Sequence, residues 1–155
     1  MLPGQKIVAS QLAGDFTLPK DPSKKLVFIA GGIGVTPFRS MLKYLIDKNE
    51  KRDIVMFYSN RSAADIAYKE IFDEAQARLG IKTVYTITDK NPPAWWSGRM
   101  GYIDGQMIKA EVPDYLQRTF YLSGPHGLVT AFEKTLNDLG VPHSQIKTDF
   151  FPGFA

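Results

Sequence analysis

Three short stretches carry the residue types that bind phosphate esters. Gly31-Gly-Ile-Gly-Val-Thr-Pro37 follows the apolar run Leu26-Val-Phe-Ile-Ala30. Ser59-Asn-Arg61 follows Ile54-Val-Met-Phe-Tyr58, and Ser123-Gly-Pro125 follows Thr119-Phe-Tyr-Leu122. Glycines let a diphosphate approach the main chain, and N–H groups at a helix start attract an anion. In the first stretch Thr36 is an N-cap type and Pro37 suits an opening helical position. The spacing is Gly32-x-Gly34-x-x-Pro37, so the third glycine of the dinucleotide fingerprint is absent. By itself the spacing is a weak signal, and a plain strand-to-helix turn with no ligand is the alternative reading. Three polar or small segments, each after an apolar strand, make a stronger case together.

These segments need elements to place them. Lys25–Ala30, Asp53–Tyr58, Ile81–Thr88, Arg118–Ser123 and Gln145–Phe150 read as five strands. Between them, 36–49, 62–79 and 128–139 show apolar residues at helical spacing: Phe38, Met41, Leu42, Leu45 and Ile46 in the first, Val129, Phe132 and Leu136 in the last. Gly80 is a helix stop, and Asp104 caps a short helix to Lys109. The stretch 89–100, with Pro92, Pro93, Trp95, Trp96 and Gly98, reads as a long irregular loop. Strands alternating with helices predict an α/β fold: an open, five-stranded, mainly parallel sheet with helices on both faces, Rossmann-like. Ligands of such sheets sit beyond the carboxyl ends of the strands, which gathers the three stretches into one crevice.

Composition sets outer bounds. The 155 residues suit one domain, 44% of them are hydrophobic, and there is no cysteine, hence no disulfide and no thiolate metal site. The net charge is +3 with scattered lysines and arginines, which gives no nucleic-acid footprint. No apolar run approaches the roughly 20 residues that cross a bilayer, and no signal peptide is evident. A soluble domain on the cytoplasmic side is expected. His126 and His143 stand alone in turns, so no metal site is expected.

Taken together, Gly31-Gly-Ile-Gly-Val-Thr-Pro-Phe38, Tyr58-Ser-Asn-Arg61 with Asp65 and Ile66, Trp96-Ser-Gly-Arg-Met-Gly101, Ser123-Gly-Pro125 and the tail Phe150-Phe-Pro-Gly-Phe154 resemble the nicotinamide-nucleotide domain of the ferredoxin–NADP reductase superfamily. The resemblance implies the C-terminal domain of a flavin oxidoreductase, in which hydride passes between NAD(P)H and a flavin held by a barrel domain. The barrel's Arg-x-Tyr-Ser motif is not in this chain. Residues 1–22 resemble the end of such a barrel or its linker, with Gln5–Leu12 as a strand, and 23–155 the nucleotide domain. The cofactor implied is NADP or NAD, with FAD only where a barrel is supplied in cis or trans. The acceptor implied is an iron–sulfur or haem protein. A membrane partner is admitted, because some relatives are fused to a membrane region.

Roles follow position by position. Gly31, Gly32, Ile33, Gly34 and Val35 would bring main-chain N–H groups to the pyrophosphate, with Pro37 opening the helix. Thr36 resembles a threonine near the nicotinamide, or is an N-cap alone. Ser123 resembles the position where many relatives have cysteine beside the transferring carbon, followed by Gly124 and Pro125; otherwise it is a strand-end turn. Ser59, Asn60 and Arg61 would meet the adenosine ribose. Arg61 favours a 2′-phosphate through paired hydrogen bonds, since no carboxylate follows on that strand end before Asp65. Arg99 is a second phosphate or ribose candidate. Trp95 and Trp96 cover the adenine or pack their loop. Asp149 resembles an acidic residue near the flavin, and Phe154 an aromatic shield for it. A flavodoxin-like binding module and a non-catalytic nucleotide sensor share the open sheet and remain alternatives.

Overall fold

The computed structural model describes residues 14–151. The strand expected over Gln5–Leu12 and the tail residue Phe154 lie outside them. In chain order the elements are β1 (Leu26–Gly31), α1 (Thr36–Lys48), β2 (Ile54–Asn60), α2 (Lys69–Leu79), β3 (Lys82–Ile87), β4 (Arg99–Met100), α3 (Gly105–Glu111), β5 (Thr119–Pro125), α4 (His126–Asp138) and β6 (Ile146–Phe151). The strands form one sheet in the order β4-β3-β2-β1-β5-β6, and every pairing is parallel.

Burial on both faces explains why the strands are nearly continuous apolar runs. All six residues of β1 are buried. Alternate residues serve opposite faces: Phe28, Ala30, Met56, Tyr58 and Tyr121 join α1 and α2 in one core cluster. Val27, Ile29, Phe57, Phe120 and Leu122 join α3 and α4 in the other. Phe16 and Leu18, ahead of β1, pack on the first cluster. Phe16 lies edge-on to Tyr121, with ring centroids 5.2 Å apart, and Tyr121 donates its hydroxyl hydrogen to the Thr17 carbonyl at 2.9 Å. At the opposite end of the sheet the buried Arg118 donates to Asp53 and to Asp114, each at 2.7 Å. Lys25 reaches Asp114 at 2.8 Å.

The expected architecture stands, with local corrections. The sheet has six strands, because Arg99 and Met100 pair with Thr86 and Ile87. Two residues inside a Pro- and Trp-rich loop carry no alternation pattern, so that strand had no sequence signature. Thr36 is not an N-cap. Gly32–Val35 already form a 3-10 turn, and Thr36 is the first α1 residue, its N–H bonded to the Ile33 carbonyl. Gly32, at φ +52, starts the winding early, in a left-handed conformation that costs a glycine little. The helix expected from Ser62 breaks in two. Ser62 and Asp65 close a capping box around a 3-10 turn at Ala63–Asp65. The chain then extends at Ile66 and passes through Tyr68 at φ +58 before α2 begins. Gly80 ends α2 at φ +74 and Asp104 caps α3 by accepting from Met107 N–H at 2.7 Å, both as expected.

Candidate functional site

Parallel pairing brings the three polar strand ends side by side. Gly31 lies opposite Ser59, Ala30 opposite Ser123, and Ser123 opposite Asp149. Beyond these ends opens a cavity of about 590 Å³. Its walls include Gly31, Gly32 and Ile33 from the turn, Ser59, Asn60 and Arg61 from β2, and Pro125 with Leu128 from β5 and α4. That volume falls in the range of small-molecule and cofactor sites. A smaller hollow of about 250 Å³ lies against the same turn and includes Thr36, Val35, Tyr58 and Tyr68, and Gly32, Ile33 and Asn60 border both.

Each glycine of the turn has its own reason. A Cβ on Gly31 would stand 2.5 Å from Leu128 Cδ1, so Gly31 lets the cavity wall close. Gly32 needs the left-handed φ, and a Cβ there would meet open space. Gly34 is a packing residue, because its Cβ would lie 2.3 Å from the Ser123 carbonyl oxygen. A Cβ on Gly124 would come within 3.3 Å of Leu128 Cδ2 and 3.4 Å of the Gly31 carbonyl oxygen, a close fit without the clash found at Gly34. Only Gly32 and Ile33 remain exposed on the turn, and Ile33 keeps 69% of its surface open.

Two buried side chains here lack partners. Asn60 is 6% exposed, and neither of its amide atoms is hydrogen-bonded among the described residues. It lies beside the Tyr58 hydroxyl without reaching hydrogen-bond geometry. Ser123, behind the cavity wall rather than in it, is fully buried, and its Oγ has no hydrogen-bond partner among the described residues. A buried polar atom left unpaired costs roughly 1–3 kcal/mol, and such atoms mark where a ligand's polar groups fit. Tyr58 accepts a long hydrogen bond from Ala67 N–H at 3.4 Å, and burial raises its pKa, so it stays a neutral phenol.

The structure does not gather every expected residue. Arg99 stands apart from the cavity, its guanidinium on Glu111, with Nε at 3.0 Å from Oε1. Pro37 and Asp149 border a different hollow of about 700 Å³, shared with Asp15, Phe16 and Thr17. The exposed Asp149 sits level with Ser123 on the neighbouring strand. Trp95 and Trp96 lie away from the crevice, on the β3 side of the sheet. Conversely, Thr88, Tyr102 and Leu128 line the cavity without having been expected there. Tyr102 is 80% exposed, an aromatic surface open to a base. Thr88 N–H donates to the Asn60 carbonyl at 3.1 Å, and Asp89 N–H to the Arg61 carbonyl at 2.8 Å. Asp89 is thus joined to Arg61 through the main chain only, and its carboxylate accepts from Asn91 N–H at 3.0 Å.

Known proteins agree with this geometry. The family model described as the oxidoreductase NAD-binding domain matches residues 28–134. The chain is 34% identical over 156 residues to one subunit of the Na(+)-translocating NADH-quinone reductase of Yersinia pestis (strain Pestoides F), covering 97% of this chain and 38% of that protein. It is 28% identical over 149 residues to the glycine betaine monooxygenase reductase subunit of Pseudomonas aeruginosa (strain UCBPP-PA14), covering 96% and 41%. It is also similar to the crystal structure of flavohemoglobin from Malassezia yamatoensis with bound FAD and heme, at a TM-score of 0.76 and 25% identity, covering 96% and 39%. The chain spans about two fifths of the length of the curated relatives it matches. With its parallel sheet, glycine turn and strand-end cavity, the chain belongs to the oxidoreductase NAD-binding domain family, the nucleotide domain of the ferredoxin–NADP reductase superfamily.

Proposed function

We propose that this domain binds NADH across the carboxyl ends of β1, β2 and β5 and orients it toward a flavin held by a separate domain. The observation that carries the reading is Asn60, a buried amide with no partner among the described residues, in the wall of a cavity of cofactor size. The bound nicotinamide supplies a hydride, and the protein's part is to bind, orient and shield. The first N–H groups of the run from Gly32 into α1 have no carbonyl partner within that run and suit a pyrophosphate. Asn60 and Ser59 offer donors and acceptors to the ribose and phosphate hydroxyls. Buried Ser123 keeps a hydroxyl donor at the end of β5, where it excludes water beside a reacting ring.

The Arg61–Asp89 pair bears on the choice of nucleotide. A guanidinium suits a 2′-phosphate, whereas a carboxylate accepts from the ribose diol and repels that phosphate. The NADH named for the Yersinia relative, with Asp89 on the strand end next to Arg61, supports NADH over the NADP that Arg61 alone favours. The electron acceptor beyond the flavin is proposed to be an iron–sulfur or haem protein, of the kind the reductase and flavohemoglobin relatives' names imply. Calorimetric titration with NAD⁺, NADP⁺, AMP and 2′-AMP tests the reading. NAD⁺ and AMP binding that weakens in Asn60→Leu supports it. Selective binding of NADP⁺ and 2′-AMP keeps the domain's role but reverses the nucleotide. No binding by any of the four, in this domain and with a flavin domain attached, overturns it.

A further inference from the structure

A second hollow, of about 530 Å³, lies at the β3 side of the sheet, away from the strand-end cavity. It exists because β4 is only two residues long. β4 covers Thr86 and Ile87 and leaves Lys82–Tyr85 without a strand on their outer side. The loop before β4 folds over this open edge. Trp96 is pinned there: its Nε1–H donates to the Arg99 carbonyl at 3.3 Å, its N–H to the Pro93 carbonyl at 2.9 Å, and a Cβ on Gly98 would meet its ring at 2.4 Å. Trp95 stands edge-to-face to Trp96, centroids 6.3 Å apart, and remains 71% exposed. Two indoles thus wall a hollow that no part of the described chain fills.

The floor of the hollow carries unused polar atoms. Thr83 Oγ1 and Tyr85 Oη are buried and have no hydrogen-bond partner among the described residues. They are two apart on β3 and so share one face. Burial, with lesser contributions from Asp73, Tyr58 and Glu70, raises the Tyr85 pKa, so this hydroxyl keeps its proton and can donate. Lys69 stands 5.7 Å over the Tyr85 ring centroid. The rim holds three cations, Lys69, Lys82 and Arg99. Glu111 accepts from both Lys82 and Arg99, and Asp73 from Lys69, so all three cations stand at the rim in exposed ion pairs that an incoming carboxylate can share.

We propose that this hollow is a second ligand site, for a planar aromatic carboxylate. Ring surface would stack against the indoles. The carboxylate would lie among Lys69, Lys82 and Arg99 at the rim. Its oxygens would accept from the Tyr85 and Thr83 hydroxyls, relieving two unpaired buried donors. The proposal is independent of the nucleotide reading, because it shares no residue with the strand-end cavity.

The chain has only two tryptophans, both in this wall, so their indole N–H resonances report the site directly. The test is a titration of the ¹⁵N-labelled chain with 2-naphthoate, using 2-naphthamide as the neutral isostere. Saturable shifts of both indole signals are expected, at least tenfold weaker for the amide, and unchanged by saturating NAD⁺. Tyr85→Phe, which removes one unpaired hydroxyl and keeps the ring, is expected to weaken 2-naphthoate about fivefold or more. Absence of saturable shifts up to about 10 mM overturns the proposal. So does equal binding of acid and amide, displacement by NAD⁺, or undiminished binding in a folded Tyr85→Phe.

Discussion

Gly34 and Ser123 touch through their backbones: a Cβ on Gly34 would stand 2.3 Å from the Ser123 carbonyl oxygen and 2.6 Å from Gly124 Cα. The helical turn after β1 is thereby clamped to the end of β5, and the two walls of the crevice hold one spacing. Gly34→Ala must push them apart against backbone that cannot yield. A loss of about 1–3 kcal/mol is expected, with weaker nucleotide binding. Gly32→Ala meets open space and suffers only the left-handed φ, so its cost is set by conformation, about 1 kcal/mol. Urea unfolding of both variants checks the ranking; equal stability of Gly34→Ala and the parent would show that the clamp does not exist.

Asn60 separates binding from folding. Its amide is buried and makes no hydrogen bond among the described residues. Asn60→Leu is expected to leave stability unchanged or raise it by about 1 kcal/mol, while nucleotide affinity falls at least fivefold. Thermal unfolding and calorimetry on one preparation measure the two effects. A destabilised variant with unchanged affinity would make Asn60 a structural residue.

Arg61 and Asp89 are joined main chain to main chain at 2.8 Å on neighbouring strand ends, and under the proposed reading their opposite charges act on the ribose in opposite senses. Asp89→Asn is expected to raise 2′-AMP affinity about tenfold relative to AMP, and Arg61→Ala to lower it, through charge alone. Raising the ionic strength should shrink both effects, because Arg61 and Asp89 are exposed.

The far end of the sheet predicts an acid limit. Arg118, with Lys25 contributing, lowers the Asp114 pKa from 3.8 to about 2. A carboxylate with a depressed folded pKa stabilises the fold above its unfolded value and loses that contribution as the pH falls through the folded one. The urea midpoint is therefore expected to drop between about pH 4 and pH 2. Asp114→Asn should flatten that part of the profile and start from a lower plateau, since Arg118 would lose a charged partner while buried.

Much of this was legible in the chain itself. Continuous apolar runs followed by polar or glycine segments state a parallel sheet and where its ligands lie, because strands buried on both faces leave no other pattern. Thr36 misled because Gly32 lets the helical run begin earlier than a cap residue advertises. β4 was invisible because two residues have no period. Arg99 looked available for a phosphate until Glu111, twelve residues away, claimed it.

The sequence by itself determined the layers and the crevice at the strand ends, since these follow from hydrophobic periodicity and local turn chemistry. Only the tertiary structure decided what each polar residue does there. Partnering is a matter of distance between elements far apart in the chain. That distance leaves Asn60 and Ser123 unpaired among the described residues, packs Gly34 against the Ser123 backbone, joins the main chains of Asp89 and Arg61, and opens a hollow beside Trp95 and Trp96.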